Sequence, residues 1–155
     1  MIDYYFFDSS ATVKNYVQEI GTNWVKSIFN SVSSNVIYAV SIAEVEVISA
    51  FVRRKKGKTL SVNDANTASQ QFKFDFANDF RVIQVEPILL RQAIYLAEKY
   101  ALRGYDAVQL SGAIEVFNKI SSLKFGAFIF VSADNDLNTA AQAEGLTVEN
   151  PNNYP

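Results

Sequence analysis

Four acids are the residues of this chain best suited to chemistry: Asp8, Glu44, Asp106 and Asp134. Each stands where an extended or loop segment gives way to a helix, and Glu44 and Asp106 fall within the apolar stripe of theirs. A carboxylate facing a core must be paired, hydrogen-bonded, protonated or bound to a metal. The chain has 0 His and 0 Cys, which removes thiolate and imidazole zinc sites, the Ser-His-Asp type of hydrolase and any histidine base. The metals left are those that oxygen ligands prefer, Mg²⁺ or Mn²⁺. An acidic cage of that kind activates water and clamps phosphoryl oxygens, so the residue types point to metal-assisted phosphoester chemistry.

Each acid also has a plain structural reading. Ser41-x-x-Glu44 is a capping box, Asp134 is a ready N-cap, and Asp8 before two serines caps or turns the chain. Acids in a first turn are favoured by the helix dipole as well. Helical angles set two of them apart. At about 100° per residue, Ile48 lies about 40° from Glu44 and Phe51 about 20° to the other side, with Val45, Val47 and Val52 flanking. Glu44 is then buried, and Glu46 and Arg53 face water. Over 105–121, Asp106 is in line with Leu110, Ala113, Ile114 and Phe117, while Glu115 points away. Carboxylates gathered at one place repel each other, and a divalent cation removes that conflict.

Positioning such a cluster requires a scaffold, and the hydrophobic pattern supplies one. Short apolar runs at Tyr4–Asp8, Asn35–Val40, Arg81–Val85, Phe128–Ser132 and Leu146–Glu149 read as strands. Between them the spacing predicts helices over 10–20, 22–32 (Trp24, Val25, Ile28, Phe29, Val32), 41–56, 61–79, 87–100, 105–121 and 137–144. Strands that are continuously apolar and alternate with helices mark a parallel sheet covered on both faces. Ligands of such sheets bind outside the carboxyl ends of the strands, where Asp8, Glu44 and Asp134 are expected.

The bulk numbers agree with one folded unit. The 155 residues, 49% hydrophobic with 12 Phe and 8 Tyr, suit a single domain over 1–150 followed by an irregular tail, 151–155. The N-terminal MIDYYFFDSS lacks a basic n-region, its apolar run is too short for a signal, and no stretch approaches the ~20 apolar residues of a membrane span. Absence of Cys is compatible with a reducing cytoplasm. A net charge of −2 gives no global attraction for polyanions, so any nucleic acid must be held by local basic residues or by metal.

In order and spacing, YYFFDSSATVKNYV, SIAEVEVISAFVRR, LRGYDAVQLSGAI and FIFVSADNDLNTAAQAEGLTVENP resemble the PIN-domain family. The likeness extends to the toxin ribonucleases of VapBC-type toxin–antitoxin pairs and runs from Tyr4 to Pro151. It implies an α/β/α sandwich with a central parallel sheet of four or five strands, and a cytoplasmic Mg²⁺- or Mn²⁺-dependent endoribonuclease. Its ligands would be Asp8, Glu44, Asp106 and Asp134, with Ser10, Ser132 and Asp136 as secondary candidates. Asp8, Asp106 and Glu44 would hold one metal, and Asp134 a second metal or the attacking water. RNA as substrate, a cognate antitoxin and a homodimer are the implied partners. Gly104 and Tyr105 before Asp106, and Gly112 inside the next helix, depart from the commoner pattern without removing a ligand.

Other features are less specific. The basic run Arg53–Lys58 reads first as a helix end matching the dipole, and second as a phosphate contact. Lys14 and Arg103 are nearer candidates for substrate. Phe72, Phe74 and Phe76 alternate in a way that spreads rings around a helix; a packed core is the simpler reading, and an exposed aromatic surface would mark a partner site. Gly21, Gly57 and Gly145 read as helix stops, and no P-loop or dinucleotide fingerprint is present. The competing functions are an acidic-cage phosphoesterase for DNA or small phosphates, and a non-catalytic interaction module whose acids only cap helices.

Overall fold

The computed structural model describes residues 2–31, 34–124 and 126–155. Strands β1 (Asp3–Phe7), β2 (Asn35–Val40), β3 (Arg81–Ile83), β4 (Phe128–Val131) and β5 (Thr147–Glu149) form one parallel sheet in the order β3-β2-β1-β4-β5. Phe6 of β1 is in register with Tyr38 on one side and Phe130 on the other. Successive side chains leave a strand on opposite faces, so Phe6, Val40 and Phe130 enter one core while Phe7, Ala39 and Val131 enter the second. Helices α5 (Pro87–Tyr100), α6 (Gly104–Leu123) and α7 (Asn135–Ala143) cover the first face. Helices α1 (Ser9–Val13), α2 (Thr22–Phe29), α3 (Ile42–Lys56) and α4 (Val62–Asn78) cover the other. This is the expected three-layer α/β/α sandwich, and it explains why the strands read as unbroken apolar runs.

The strand order fixes where a ligand site belongs. From β1 the chain first builds outward through β2 and β3, then crosses back to place β4 on the other side of β1. A crevice opens at such a switch point, outside the carboxyl ends of the strands. Asp8 leaves β1 at that point, and Ser132 leaves β4 beside it.

Several local expectations are corrected. The helix expected over 10–20 is only Ser9–Val13, followed by turns. The chain folds back so that Lys14 is buried, its Nζ donating to Glu19 Oε2 at 3.0 Å and to the Ile20 carbonyl at 2.9 Å. Lys14 therefore ties a loop and is no substrate contact. The second helix ends at Phe29, and Val32 lies outside the described residues. Gly112 does not interrupt α6. A Cβ there would stand 3.3 Å from the Phe6 ring and 3.4 Å from Val40 Cβ, so glycine lets α6 lie close on the sheet. Of the alternating phenylalanines, Phe72 and Phe76 are core and Phe74 is 63% exposed.

Residues 151–155, expected to be irregular, contain a 3-10 turn, Pro151–Asn153. Gly21, at φ 85°, packs against Pro151 so tightly that a side chain would collide with its carbonyl. The Tyr154 ring then stacks on Trp24 at 4.5 Å.

Candidate active site

Asp8 is the N-cap of α1 and the most enclosed acid at the switch point, 3% exposed. Its carboxylate accepts from Ser132 Oγ at 2.6 Å, Ser10 Oγ at 2.7 Å and the Ala11 amide at 2.9 Å. Burial raises its pKa to about 6; the bonds from Ser132, Ala11 and Ser10 oppose that rise, and the nearby charge of Asp106 adds to it. The two serines also join strand ends. Ser10 Oγ accepts from the Ala133 amide at 3.0 Å, and Ser132 Oγ accepts from the Asp134 amide at 3.1 Å. Ser10 and Ser132, secondary candidates from sequence, thus clasp Asp8 and connect β1 to the segment after β4.

Asp106 and Asp134 meet through a cation. Arg103, the N-cap residue of α6, donates from Nε to Asp106 Oδ2 and from Nη2 to Asp134 Oδ2, both at 2.9 Å. Asp134 caps α7 with its other oxygen, which accepts from the Leu137 amide at 2.9 Å. The Asp106 pKa is raised by burial, opposed by Arg103, and raised further by the charges of Asp134 and Asp136. Asp136 is exposed in the first turn of α7 and adds negative potential without a bond into the cluster. Arg103 itself is open to solvent, its side chain 78% exposed.

The structure overturns the placement of Glu44. That residue is exposed, whereas Glu46 is turned inward and half-buried. Glu46 Oε1 accepts from Ser9 Oγ at 2.9 Å and from Gln109 Nε2 at 2.7 Å. The fully buried Ala43, Val47 and Phe51 define the inner face of α3; on that wheel Glu44 sits about 60° to one side and Glu46 about 100° to the other. Angle alone favours Glu44. What decides is the neighbour: α1 and α6 stand on the Glu46 flank and offer it donors. Val45, counted as flanking the buried stripe, is 70% exposed.

Glu46 and Asp106 line one groove of about 610 Å³ together with Ser10, Arg53, Arg103 and Tyr105. Arg54 lies on the same wall and pairs with Glu19. The first two residues of the basic run therefore face this groove and do more than end a helix. Ser9, Glu46 and Gln109 are the site residues that sequence reasoning missed. A usable signal existed for Glu46: Ala43 and Ala50, three before and four after it, are small and let a neighbouring element approach.

The donors are carboxylate and hydroxyl oxygens, the set that suits Mg²⁺ or Mn²⁺. Two carboxylate oxygens already share one cationic group at 2.9 Å, so the cluster fits a hard cation in kind. Among the described residues, no three acids close to the spacing of a complete cage.

No family model matches the chain. A protein named ribonuclease VapC45, from Mycobacterium tuberculosis, is 26% identical over 143 residues, 92% of each chain. The fold is similar to a structure of VapBC2 from Rickettsia felis bound to a DNA fragment from its promoter, with TM-score 0.63 and 13% identity over 95% of this chain and 98% of that one. It is also similar to FitAcB from Neisseria gonorrhoeae, with TM-score 0.61 and 15% identity over 95% and 97%.

Proposed function

We propose that this chain, a VapC-like PIN-domain protein, is a Mg²⁺- or Mn²⁺-dependent endoribonuclease acting as the toxin of a toxin–antitoxin pair. Its centre comprises Asp8, Asp106, Asp134 and Glu46, the last in the place expected for Glu44. The observation that supports this reading is that Asp106 and Asp134 share one guanidinium while Ser132 ties the buried Asp8 carboxylate to the Asp134 amide. Helix N-termini collect at this edge of any parallel sheet, so capping accounts for acids being there; it does not account for Asp106 and Asp134, on different helices, turning their carboxylates to one guanidinium. Residues 1–150 act as one catalytic unit, with the 3-10 turn as its clasp.

When bound, the divalent ion supplies the acidity that makes water nucleophilic near neutral pH and offsets charge on the phosphoryl oxygens. The chain does the rest. Ser10, Ser132 and the Ala11 amide hold Asp8 in one orientation, so no reorganisation of that carboxylate is needed during reaction. Arg53 and Arg103 on the groove wall attract the phosphodiester backbone. Tyr105, exposed at the groove, offers a ring face for a base.

The antitoxin is proposed to cover the groove side of α3, where Val45 and Val52 are exposed. Ile88, Ile94 and Tyr95 are exposed apolar residues on the outer side of α5, and that side is proposed for a homodimer. Among the described residues no helix is long and apolar enough to cross a membrane, and action on cytoplasmic RNA is proposed. A purified assay with Mg²⁺ and matched RNA and DNA substrates tests the whole reading. Cleavage of RNA that disappears with EDTA and in Asp106→Asn is expected; undiminished cleavage in that variant, or preference for DNA, overturns it.

A further inference from the structure

We infer that Gln109 is a positioning residue for Glu46, fixing one oxygen of that carboxylate so that the other is presented to the groove; this rests on Glu46 belonging to the proposed centre. Gln109 lies on α6, three residues after Asp106, and is 1% exposed. Its Nε2 donates to Glu46 Oε1 at 2.7 Å and to Ser9 Oγ at 2.9 Å, while Ser9 Oγ donates to the same Oε1 at 2.9 Å. Glu46 Oε1 is thus held by donors from α1 and α6. Among the described residues its Oε2 accepts none.

Core packing does not account for a glutamine at this position. The Gln109 carbonyl oxygen is buried without a partner, and an unsatisfied buried acceptor disfavours the folded state. A leucine or methionine would fill the space without that penalty. The amide makes sense through what it holds. An amide and a hydroxyl orient a carboxylate without supplying a counter-charge, so the second oxygen still lacks a cationic partner. The same bonds place three acids on one frame: Ser9 follows Asp8 in the chain, and Gln109 is one helical turn from Asp106. Partners of this kind set the orientation of metal-ligating groups, and their loss typically weakens metal binding about 10- to 100-fold.

The test is Mn²⁺ binding by calorimetry on the purified full chain, with melting of the metal-free protein measured alongside. Gln109→Leu is expected to weaken Mn²⁺ binding about 10- to 100-fold while the metal-free melting temperature holds or rises. Gln109→Met serves as a second variant should leucine disturb folding, and Ser9→Ala is expected to act in the same direction. Glu46→Gln combined with Gln109→Leu should bind no more weakly than Glu46→Gln alone, because the amide acts through that carboxylate. Wild-type Mn²⁺ affinity in both Gln109 variants, or additive losses in the double variant, overturns the inference. If Asp8→Asn abolishes binding but Glu46→Gln does not, the positioning role falls and the metal centre stands. If the wild-type chain binds no Mn²⁺, both fall.

Discussion

Two halves of one site hold the same kind of group by opposite means. Asp8 is sealed from water and held by neutral donors, two hydroxyls and an amide. Asp106 and Asp134 are half-open to solvent and share the guanidinium of Arg103. Neutral donors orient a carboxylate but leave its charge uncompensated, which is why burial still lifts the Asp8 pKa to about 6. A guanidinium compensates charge, but from an exposed position where water and salt weaken it. The buried half therefore sets geometry at a standing energetic cost, and the exposed half is balanced by a group that can move away. A divalent cation would relieve the first and compete with the second.

The largest test of that contrast is Asp8→Asn. Cleavage of RNA with Mg²⁺ is expected to fall by at least about 100-fold, more than the loss of an outer partner alone would give. The metal-free protein at pH 7.5 should be no less stable than wild type, because the substitution removes a buried charge. A variant that cleaves normally, or that melts well below wild type, breaks the comparison.

Next in size is a pH effect on stability without metal. Asp8 has a raised pKa in the folded state, so folding favours its neutral form, and the benefit is fully present below the unfolded value near pH 4. It is lost as pH rises through about 6. The loss totals roughly 3 kcal/mol. Denaturant unfolding in EDTA from pH 4 to 7.5 should show this decline after subtraction of the Asp8→Asn curve. Adding Mn²⁺ should restore stability above pH 6, since the ionised carboxylate is the form that binds.

What the sequence disclosed follows the same division. The sheet was legible because its inner strands β1, β2 and β4 send buried side chains to both faces, so apolar runs such as FIFV carry the signal unaided. Asp8, Asp106 and Asp134 were legible because each opens a helix after a strand or loop. Glu46 was not, because a helical wheel gives an angle but says nothing of which neighbour stands opposite. Val45 and Val52 are apolar yet exposed, so hydrophobicity alone sets the buried face of α3 nearer Glu44. Gln109 was hidden differently. From Ala107 to Ala113 every residue of α6 is buried, so one polar side chain leaves no periodic mark.

Ser132→Ala probes the buried half at smaller amplitude. It removes the 2.6 Å bond to Asp8 and the acceptor of the Asp134 amide. A hydrogen bond to a charged group contributes about 1.5–3 kcal/mol, so chemical denaturation at pH 7.5 should show a loss of that order. At pH 4, where Asp8 is neutral, the loss should shrink. Equal losses at both pH values would mean that Ser132 serves packing and does not steady the charge.

Arg103→Gln gives the smallest change in stability and the sharpest view of the exposed half. Both ion pairs are made by a side chain 78% exposed, and such pairs contribute about 0–1 kcal/mol. Melting in EDTA should therefore shift little, and the shift should vanish in 0.5 M salt, where screening extends to a few ångströms. Mn²⁺ binding should instead tighten several-fold at low salt, because Asp106 and Asp134 no longer have an internal cation to give up. The two readouts move in opposite directions only if the guanidinium is a competitor for the same oxygens. Should Mn²⁺ bind more weakly in Arg103→Gln, the arginine would be a strut that holds Asp106 and Asp134 together, and both halves of the site would be built for geometry.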